Sequence, residues 1–134
     1  MYHKLIYLAQ PYSHENKDVR IWRYEKALKA VAAGMKWHVY FISPIIQSHL
    51  VAETFDLSTD FEYWKIMDEA ILSRCDEMWI LNLPGWYKSV GVKEEYKIAK
   101  KHGIPVYLTS LIHNDTDFDF DPFELQLWVK ENNL

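Results

Sequence analysis

The sequence predicts an α/β fold in which a doubly wound parallel sheet of four or five strands carries helices on both faces. Short apolar runs alternate along the chain with longer segments whose apolar residues recur at helical spacing. One run, EMWILNL, is apolar almost throughout, which is typical of a parallel strand buried on both faces. With 134 residues and 49% apolar composition, the chain is expected to form one domain spanning residues 1–134.

The first part of the chain is predicted to contain two strands and one helix. Residues 4–9 form an apolar run that ends at a Gln-Pro pair, so they predict the first strand. Residues 17–34 carry apolar side chains at helical spacing opposite basic ones, and Gly34 is expected to end this helix. Residues 38–42 predict a second strand, closed by a Ser-Pro pair. Residues 45–61 are predicted to be irregular and to form a lid or a wall.

The second part continues the alternation of helices and strands. The predicted segments are a helix at 62–75, a strand at 77–83, a helix at 89–103, a strand at 105–109 and a short helix at 123–132. Gly103 is expected to end the helix that precedes the fourth strand.

Right-handed crossovers give this sequence of elements a strand order near 2-1-3-4, with room for a fifth strand at the edge. In such a sheet the order reverses between the first and third strands, and ligands bind beyond the carboxyl ends there. The loops after residues 9 and 83 are therefore expected to meet over one crevice.

Charge and composition exclude several classes of protein. The 15 Lys and Arg residues against 19 Asp and Glu give a net charge of −4, which argues against a protein that grips bulk nucleic acid. No apolar run approaches the roughly 20 residues that span a bilayer, so no membrane association is expected. The single cysteine, Cys75, fits a reducing compartment, and we expect a cytoplasmic protein. Residues 115–124 are rich in acidic side chains and are interpreted as an acidic tail segment.

Histidine and aromatic residues carry two further expectations. The six histidines and one cysteine show no zinc-ligand spacing, and no dinucleotide or P-loop motif occurs, so neither a metal nor an organic cofactor is expected. Aromatic residues make up 16% of the chain, more than a core of this size needs. Some of them are expected to line a pocket or a subunit interface, and a homodimer or higher homo-oligomer is predicted.

The start of the predicted helix at residue 89 has the features of an anion site. Ser89 is a preferred N-cap residue, and the N–H groups of Val90 and Gly91 lie in the first turn, where the helix dipole is positive. An ordinary helix cap is the alternative.

Two adjacent glutamates on this helix are expected to face opposite ways. Glu94 has lysines as its helical neighbours, whereas Glu95 has apolar residues. Glu95 is therefore predicted to point toward the sheet, where a carboxylate is costly unless it is used. The alternative is a buried structural acid paired with Arg20 or Arg23.

The preceding helix presents a similar contrast. Asp68 lies on the apolar stripe beside Trp64, whereas Glu69 has polar neighbours. An acid that caps backbone N–H groups is an equally good interpretation of Asp68. Tyr7 on the first strand has a phenol that could bond a carboxylate in the crevice, although a core tyrosine is the simpler interpretation. Two inward carboxylates suit acid, base or nucleophile chemistry on a sugar, and they also suit a divalent metal.

Three stretches carry a resemblance to a known superfamily. YLAQPYS, FISPIIQSH and LNLPGWYKSVGVKEEYKIAKKHGIPVY together resemble the nucleoside 2-deoxyribosyltransferase-like superfamily, to about residue 109. The likeness is closest to short phage and bacterial proteins with a GWxxSxGvxxE pattern and to nucleoside 5'-monophosphate N-glycosidases. It implies a flavodoxin-like fold and an oligomer. It also implies that Glu95 is the nucleophile, Asp68 the acidic partner and Tyr7 the residue that orients the nucleophile.

The resemblance further implies a substrate. Transferases of free nucleosides carry an acid at the position of Ser89, whereas the nucleotide hydrolases carry serine. A hydroxyl with bare N–H groups favours a phosphate, so the expected substrate is a nucleoside 5'-monophosphate, held at Ser89, Val90 and Gly91. The base and sugar are expected to contact a further set of side chains: Gln10, Tyr12, His49, Trp64 and Trp86.

The leading hypothesis is cleavage or transfer at the N-glycosidic bond of a nucleoside 5'-monophosphate through Glu95, with no cofactor. Three alternatives stay open. The first is a deoxyribosyltransferase of free nucleosides, and the second is a nucleotide-binding module without catalysis. The third is a metal-dependent phosphohydrolase that uses Asp68 and Glu95.

Overall fold

A five-stranded sheet lies at the centre of the protein, in a computed structural model that describes residues 3–134. The strands are β1 (Leu5–Ala9), β2 (Tyr40–Ile42), β3 (Glu77–Leu81), β4 (Val106–Ile112) and β5 (Asp117–Phe120). Their order is β2-β1-β3-β4-β5. The first four are parallel and β5 runs antiparallel to β4. The predicted α/β class and strand order are confirmed.

Five helices within the described residues pack against the sheet or border it. They are α1 (Lys17–Lys36), α2 (Pro44–Phe55), α3 (Phe61–Leu72), α4 (Val90–Lys101) and α5 (Pro122–Glu131), with a short 3-10 turn at Trp86–Lys88. One apolar core joins the sheet to α3, α4 and α5, and a second joins the other face to α1. Within the described residues, no helix combines the length and the apolar character needed to cross a membrane.

Helix α2 corrects the prediction that residues 45–61 are irregular. Ser43 caps this helix by accepting a hydrogen bond from the Ile46 N–H at 3.4 Å, and Pro44 occupies the first turn. Proline is favoured there because N–H groups in the first turn have no partner within the helix, so the absence of one costs no hydrogen bond. The Ser-Pro pair that closes β2 therefore also begins α2, a signal that the sequence contains.

Gly34 does not end α1, which continues to Lys36. A Cβ at Gly34 would come within 2.6 Å of the Val39 carbonyl oxygen and 2.7 Å of the Phe41 ring. This glycine is needed for the close approach of α1 to β2. Gly103, in contrast, follows the last turn of α4 with a φ of +68°, as expected of a helix terminator.

Strand β5 corrects the interpretation of the acidic segment as a tail. The side chain of Phe118 packs against the rings of Phe41 and Trp79, each with centroids 5.6 Å apart. The turn before β5 contributes Asp115, which forms an ion pair with Lys26 of α1 at 3.1 Å. The acidic segment thus completes the sheet and neutralises part of the basic first helix. β4 is longer than predicted because β5 pairs with its second half.

Candidate active site

A crevice of about 640 Å³ opens where the loops that follow β1 and β3 meet, as the strand order predicts. Its walls also include one face of α2, the start of α3 and the first turns of α4. Its volume is within the usual range for sites that enclose small molecules.

Glu95 lies in the wall of this crevice and is 7% exposed. The hydroxyl of Tyr7, on β1, donates a hydrogen bond to Glu95 Oε2. Burial raises the pKa of Glu95 to about 8. The nearby Asp68 carboxylate also raises it, whereas the Tyr7 bond opposes the shift. Burial and the charge of Glu95 together raise the pKa of Tyr7 well above its ordinary value, so it stays a donor.

The alternative that Glu95 pairs with an arginine is wrong. Arg20 Nη2 lies 3.4 Å from Oε1 of Glu53 on α2. The Arg23 guanidinium donates hydrogen bonds to the backbone oxygens of Tyr12 and Ser13. Among residues 3–134, no basic side chain lies within 4 Å of the Glu95 carboxylate. Glu95 is therefore a buried acid whose side-chain hydrogen-bond partner among residues 3–134 is the Tyr7 phenol.

Asp68, on α3, lines the same crevice and is 7% exposed. Burial raises the pKa of Asp68 to about 6, and its Oδ1 atom has no hydrogen-bond partner among residues 3–134. The interpretation of Asp68 as an acid that caps backbone N–H groups gains no support from these contacts. Its neighbour Glu69 is more exposed and pairs with Lys101 at 3.6 Å, so the predicted contrast between the two acids is confirmed.

Among the described acids that line this crevice, Asp68 and Glu95 are the two whose pKa is raised by burial. With pKa values of about 6 and about 8, the pair holds roughly one proton near neutral pH, and this proton lies mainly on Glu95 before a ligand binds. Across the described part of the chain, no three His, Cys, Asp or Glu side chains cluster closely enough to hold a metal ion.

The N-terminus of α4 contributes Ser89, Val90 and Gly91 to the crevice. Ser89 Oγ accepts a hydrogen bond from the Val92 N–H at 3.2 Å, so Ser89 is the N-cap residue. Its hydroxyl hydrogen is free to be donated to a ligand. The first N–H groups of a helix lack partners within the helix, and the dipole is positive there.

Two cations that the sequence analysis did not assign to the ligand also line the crevice, namely Arg23 and Lys88. Neither forms an ion pair with any carboxylate in residues 3–134, although Lys88 lies over the Tyr87 ring. Burial lowers the pKa of Arg23 because the guanidinium loses hydration. Helical periodicity marks Arg23 as part of the basic face of α1, but only the packing of α1 against the loop after β1 brings it to the crevice.

The side chains predicted to contact base and sugar divide into two groups. Gln10, Tyr12 and Trp64 line the crevice, as expected. The indole of Trp64 is held by a hydrogen bond from its Nε1 to the Ser58 backbone oxygen at 2.8 Å. These three side chains remain candidates for contact with a ligand.

Trp86 and His49 do not line the crevice, so their placement was wrong. Trp86 is 2% exposed and packs against Trp128 of α5 with ring centroids 5.1 Å apart, because the 3-10 turn directs the indole into the core. His49 is buried on α2, stacked on Tyr24 at 4.3 Å, and its Nδ1 bonds the Tyr12 hydroxyl. His49 therefore supports the crevice wall from behind.

Comparison with known proteins adds a family but no activity. A family model described as a domain of unknown function, DUF1937, matches residues 4–111 of the chain. A search of curated proteins finds no match. The matched region contains all the side chains that line the crevice.

Proposed function

Because the chain belongs to the DUF1937 family, a domain of unknown function, we propose its function from the crevice: it cleaves the N-glycosidic bond of a nucleoside 5'-monophosphate. The observation that carries the proposal is Glu95. A glutamate that is buried, bonded by a tyrosine and unpaired with any described cation costs stability, and such cost is typical of functional sites. The resemblance to the nucleoside 2-deoxyribosyltransferase-like superfamily supports the same assignment.

The proposed reaction has two steps. The proton of the pair first passes from Glu95 to Asp68, so that Glu95 is ionised and Asp68 is an acid. The Glu95 carboxylate then attacks C1', an ester bond forms to the sugar, and the C1'–N bond breaks with its electron pair leaving on the base. Asp68 supplies the proton that neutralises the departing base nitrogen. A water molecule then attacks C1' and frees Glu95, and the ionised Asp68 accepts the proton of this water. Two displacements at one carbon retain its configuration.

The opposite end of the substrate is assigned to the start of α4. Ser89 offers a hydroxyl hydrogen, and Val90 and Gly91 offer N–H groups at a positive helix end. Lys88 and Arg23 add two cations without carboxylate partners in the described chain. This combination suits a dianionic phosphate better than a neutral hydroxyl. It is the reason for choosing a monophosphate over a free nucleoside.

The test is to incubate the protein with a panel of nucleosides and their 5'-monophosphates and to separate the products by chromatography. Free base released from monophosphates is the expected result. Release of base from nucleosides alone would contradict the phosphate assignment. Magnesium-dependent release of inorganic phosphate without free base would instead identify a phosphohydrolase and overturn the proposal.

Ser89→Asp is expected to move the preference from monophosphates toward free nucleosides. Aspartate is also a good N-cap, so α4 keeps its start, but its charge repels the phosphate. We expect kcat/KM for the monophosphate to fall roughly 100-fold relative to that for the nucleoside. Ser43→Asp is the matched control, because Ser43 caps α2 and does not line the crevice. Equal losses for both substrates would argue against a phosphate at Ser89.

The pH dependence of kcat/KM is expected to be bell-shaped, with limbs near pH 6 and pH 8. Below the first limb both acids are protonated and Glu95 cannot attack. Above the second, both are ionised and Asp68 cannot donate a proton. A phosphate monoester itself titrates near pH 6, so the alkaline limb is diagnostic. In Asp68→Asn, we expect kcat to fall roughly 10²- to 10⁴-fold and the alkaline limb to disappear. An alkaline limb that persists in this variant would assign it to another group.

A further inference from the structure

Three buried side-chain oxygens in residues 3–134 have no hydrogen-bond partner: Gln10 Oε1, Ser48 Oγ and Asp68 Oδ1. All three residues line the same crevice. Buried polar atoms in folded proteins almost always have partners, because an unmet hydrogen bond is costly. The crevice therefore holds hydrogen-bonding capacity that a ligand can satisfy.

The orientation of the Gln10 amide is determined by its surroundings. Gln10 is 4% exposed, and its Nε2 donates to the Arg23 backbone oxygen at 2.8 Å. The opposite flip would place two oxygens against each other, so Oε1 is held on the other side. The Arg23 guanidinium in turn donates to the Tyr12 and Ser13 backbone oxygens at 3.3 and 2.9 Å. This loop is bonded to α1 in both directions, and Gln10 Oε1 is left as a fixed acceptor without a partner in residues 3–134.

The position of Gln10 relative to Glu95 assigns it to one part of the substrate. Side chains alternate along β1, so Tyr7 reaches Glu95 on one face of the sheet while Gln10 bonds α1 on the other. In the proposed function the anomeric carbon lies at Glu95 and the phosphate at the start of α4. The base then extends toward the wall formed by the loop after β1 and by α2, where Gln10 and Ser48 lie.

We infer that Gln10 and Ser48 select a base that has an amino group beside an unprotonated ring nitrogen, as adenine and cytosine do; this rests on the proposed function. Gln10 Oε1 accepts from the amino group, and the Ser48 hydroxyl donates to the ring nitrogen. Hypoxanthine and uracil carry an oxygen and an N–H at these positions. Their oxygen would meet Gln10 Oε1 directly, and two acceptors without a proton repel.

Two matched pairs of ligands test this inference. The 5'-monophosphates of deoxyadenosine and deoxyinosine form one pair, and those of deoxycytidine and deoxyuridine form the other. Their dissociation constants are measured by calorimetry in the Glu95→Gln background, which prevents turnover. We expect the amino member of each pair to bind roughly 10- to 100-fold more tightly. In the Gln10→Met double variant the preference is expected to fall below about threefold.

Gln126→Met is the matched control, because Gln126 is exposed on α5 and outside the crevice, and it should leave the preference unchanged. Equal binding within both pairs, binding of none of the four ligands, or a preference that survives Gln10→Met would each overturn the inference. If Gln10→Met fails to fold, the comparison within each pair still decides.

Release of free base by the wild-type protein is measured separately. Preference for the amino ligands that depends on Gln10, without any release of base, would support this inference and contradict the proposed cleavage. Release of base with no amino preference would support the cleavage and contradict the inference.

Discussion

Glu95→Gln is expected to lower kcat for release of free base by at least roughly 10³-fold. Glutamine keeps the shape of the side chain and can still accept the Tyr7 hydrogen bond, but its amide cannot form the ester to C1'. The effect is therefore expected in kcat, with little change in the affinity for the monophosphate. Single-turnover release of base, followed by chromatography, measures the loss directly.

Glu94→Gln is the matched control for this result. Glu94 is the adjacent residue on α4, but its side chain is 29% exposed and its Oε1 atom pairs with Lys97 Nζ at 3.2 Å. We expect its kcat to stay within about twofold of wild type, since a surface ion pair contributes little. A loss of similar size in both variants would mean that damage to α4 explains the effect. Unchanged kcat in Glu95→Gln would remove Glu95 from the chemistry.

Glu95→Gln is also expected to stabilise the folded protein in alkaline solution. Folded Glu95 holds its proton until about pH 8, whereas an unfolded glutamate ionises near its ordinary pKa of 4.5. Between these values the folded state binds more protons, so the free energy of unfolding falls as pH rises and levels off above pH 8. The difference between the two pKa values corresponds to on the order of 5 kcal/mol. Glu95→Gln has no carboxyl to ionise at this position, so its free energy of unfolding should not fall in this way.

Urea denaturation of wild type and Glu95→Gln at pH 5 and pH 9 measures this effect. The variant should gain little at pH 5 and on the order of 4 to 5 kcal/mol at pH 9. Glu94→Gln should show no such dependence on pH. If Glu95 were instead stabilised as an anion by a cation, the sign would reverse, and the variant would lose most stability at pH 9. That reversal would also remove the main support for a functional carboxyl.

The two predictions are linked by one property of the site. The Glu95 carboxyl destabilises the fold at neutral and alkaline pH, and its described contacts do not explain why the fold would need it. Asp68 on α3 shows the same properties, since burial also raises its pKa and its Oδ1 atom has no hydrogen-bond partner in the described part of the chain. Natural proteins tolerate such local cost mainly where function requires it.

The inward direction of Glu95 and Asp68 could be predicted from the sequence because helical periodicity is local. Residues three and four positions away decide which side of a helix packs, and they separate each acid from its neighbour. The alternation of strands and helices and the order of the sheet follow similarly, since the handedness of crossovers restricts the possible topologies.

The errors concern features that depend on distant parts of the chain. Trp86 lies in a loop, and whether its indole faces the crevice or the core depends on Trp128, more than 40 positions later. Strand β5 is stabilised by the packing of Phe118 against Phe41 and Trp79, which lie far away in the sequence. Its acidic composition is not typical of a strand, so the sequence did not predict it. Helix α2 is a different kind of error, because its Ser-Pro start was present in the sequence.

The sequence by itself determined the fold class, the strand order and the inward direction of Glu95 and Asp68, because each of these follows from local periodicity and chain handedness. Only the tertiary structure decided which polar groups meet in the crevice. It brought the phenol of Tyr7 to Glu95, and it brought Arg23 and the fixed amide of Gln10 to the wall. Contacts between side chains far apart in sequence depend on how helices pack on the sheet, and no local pattern records that packing.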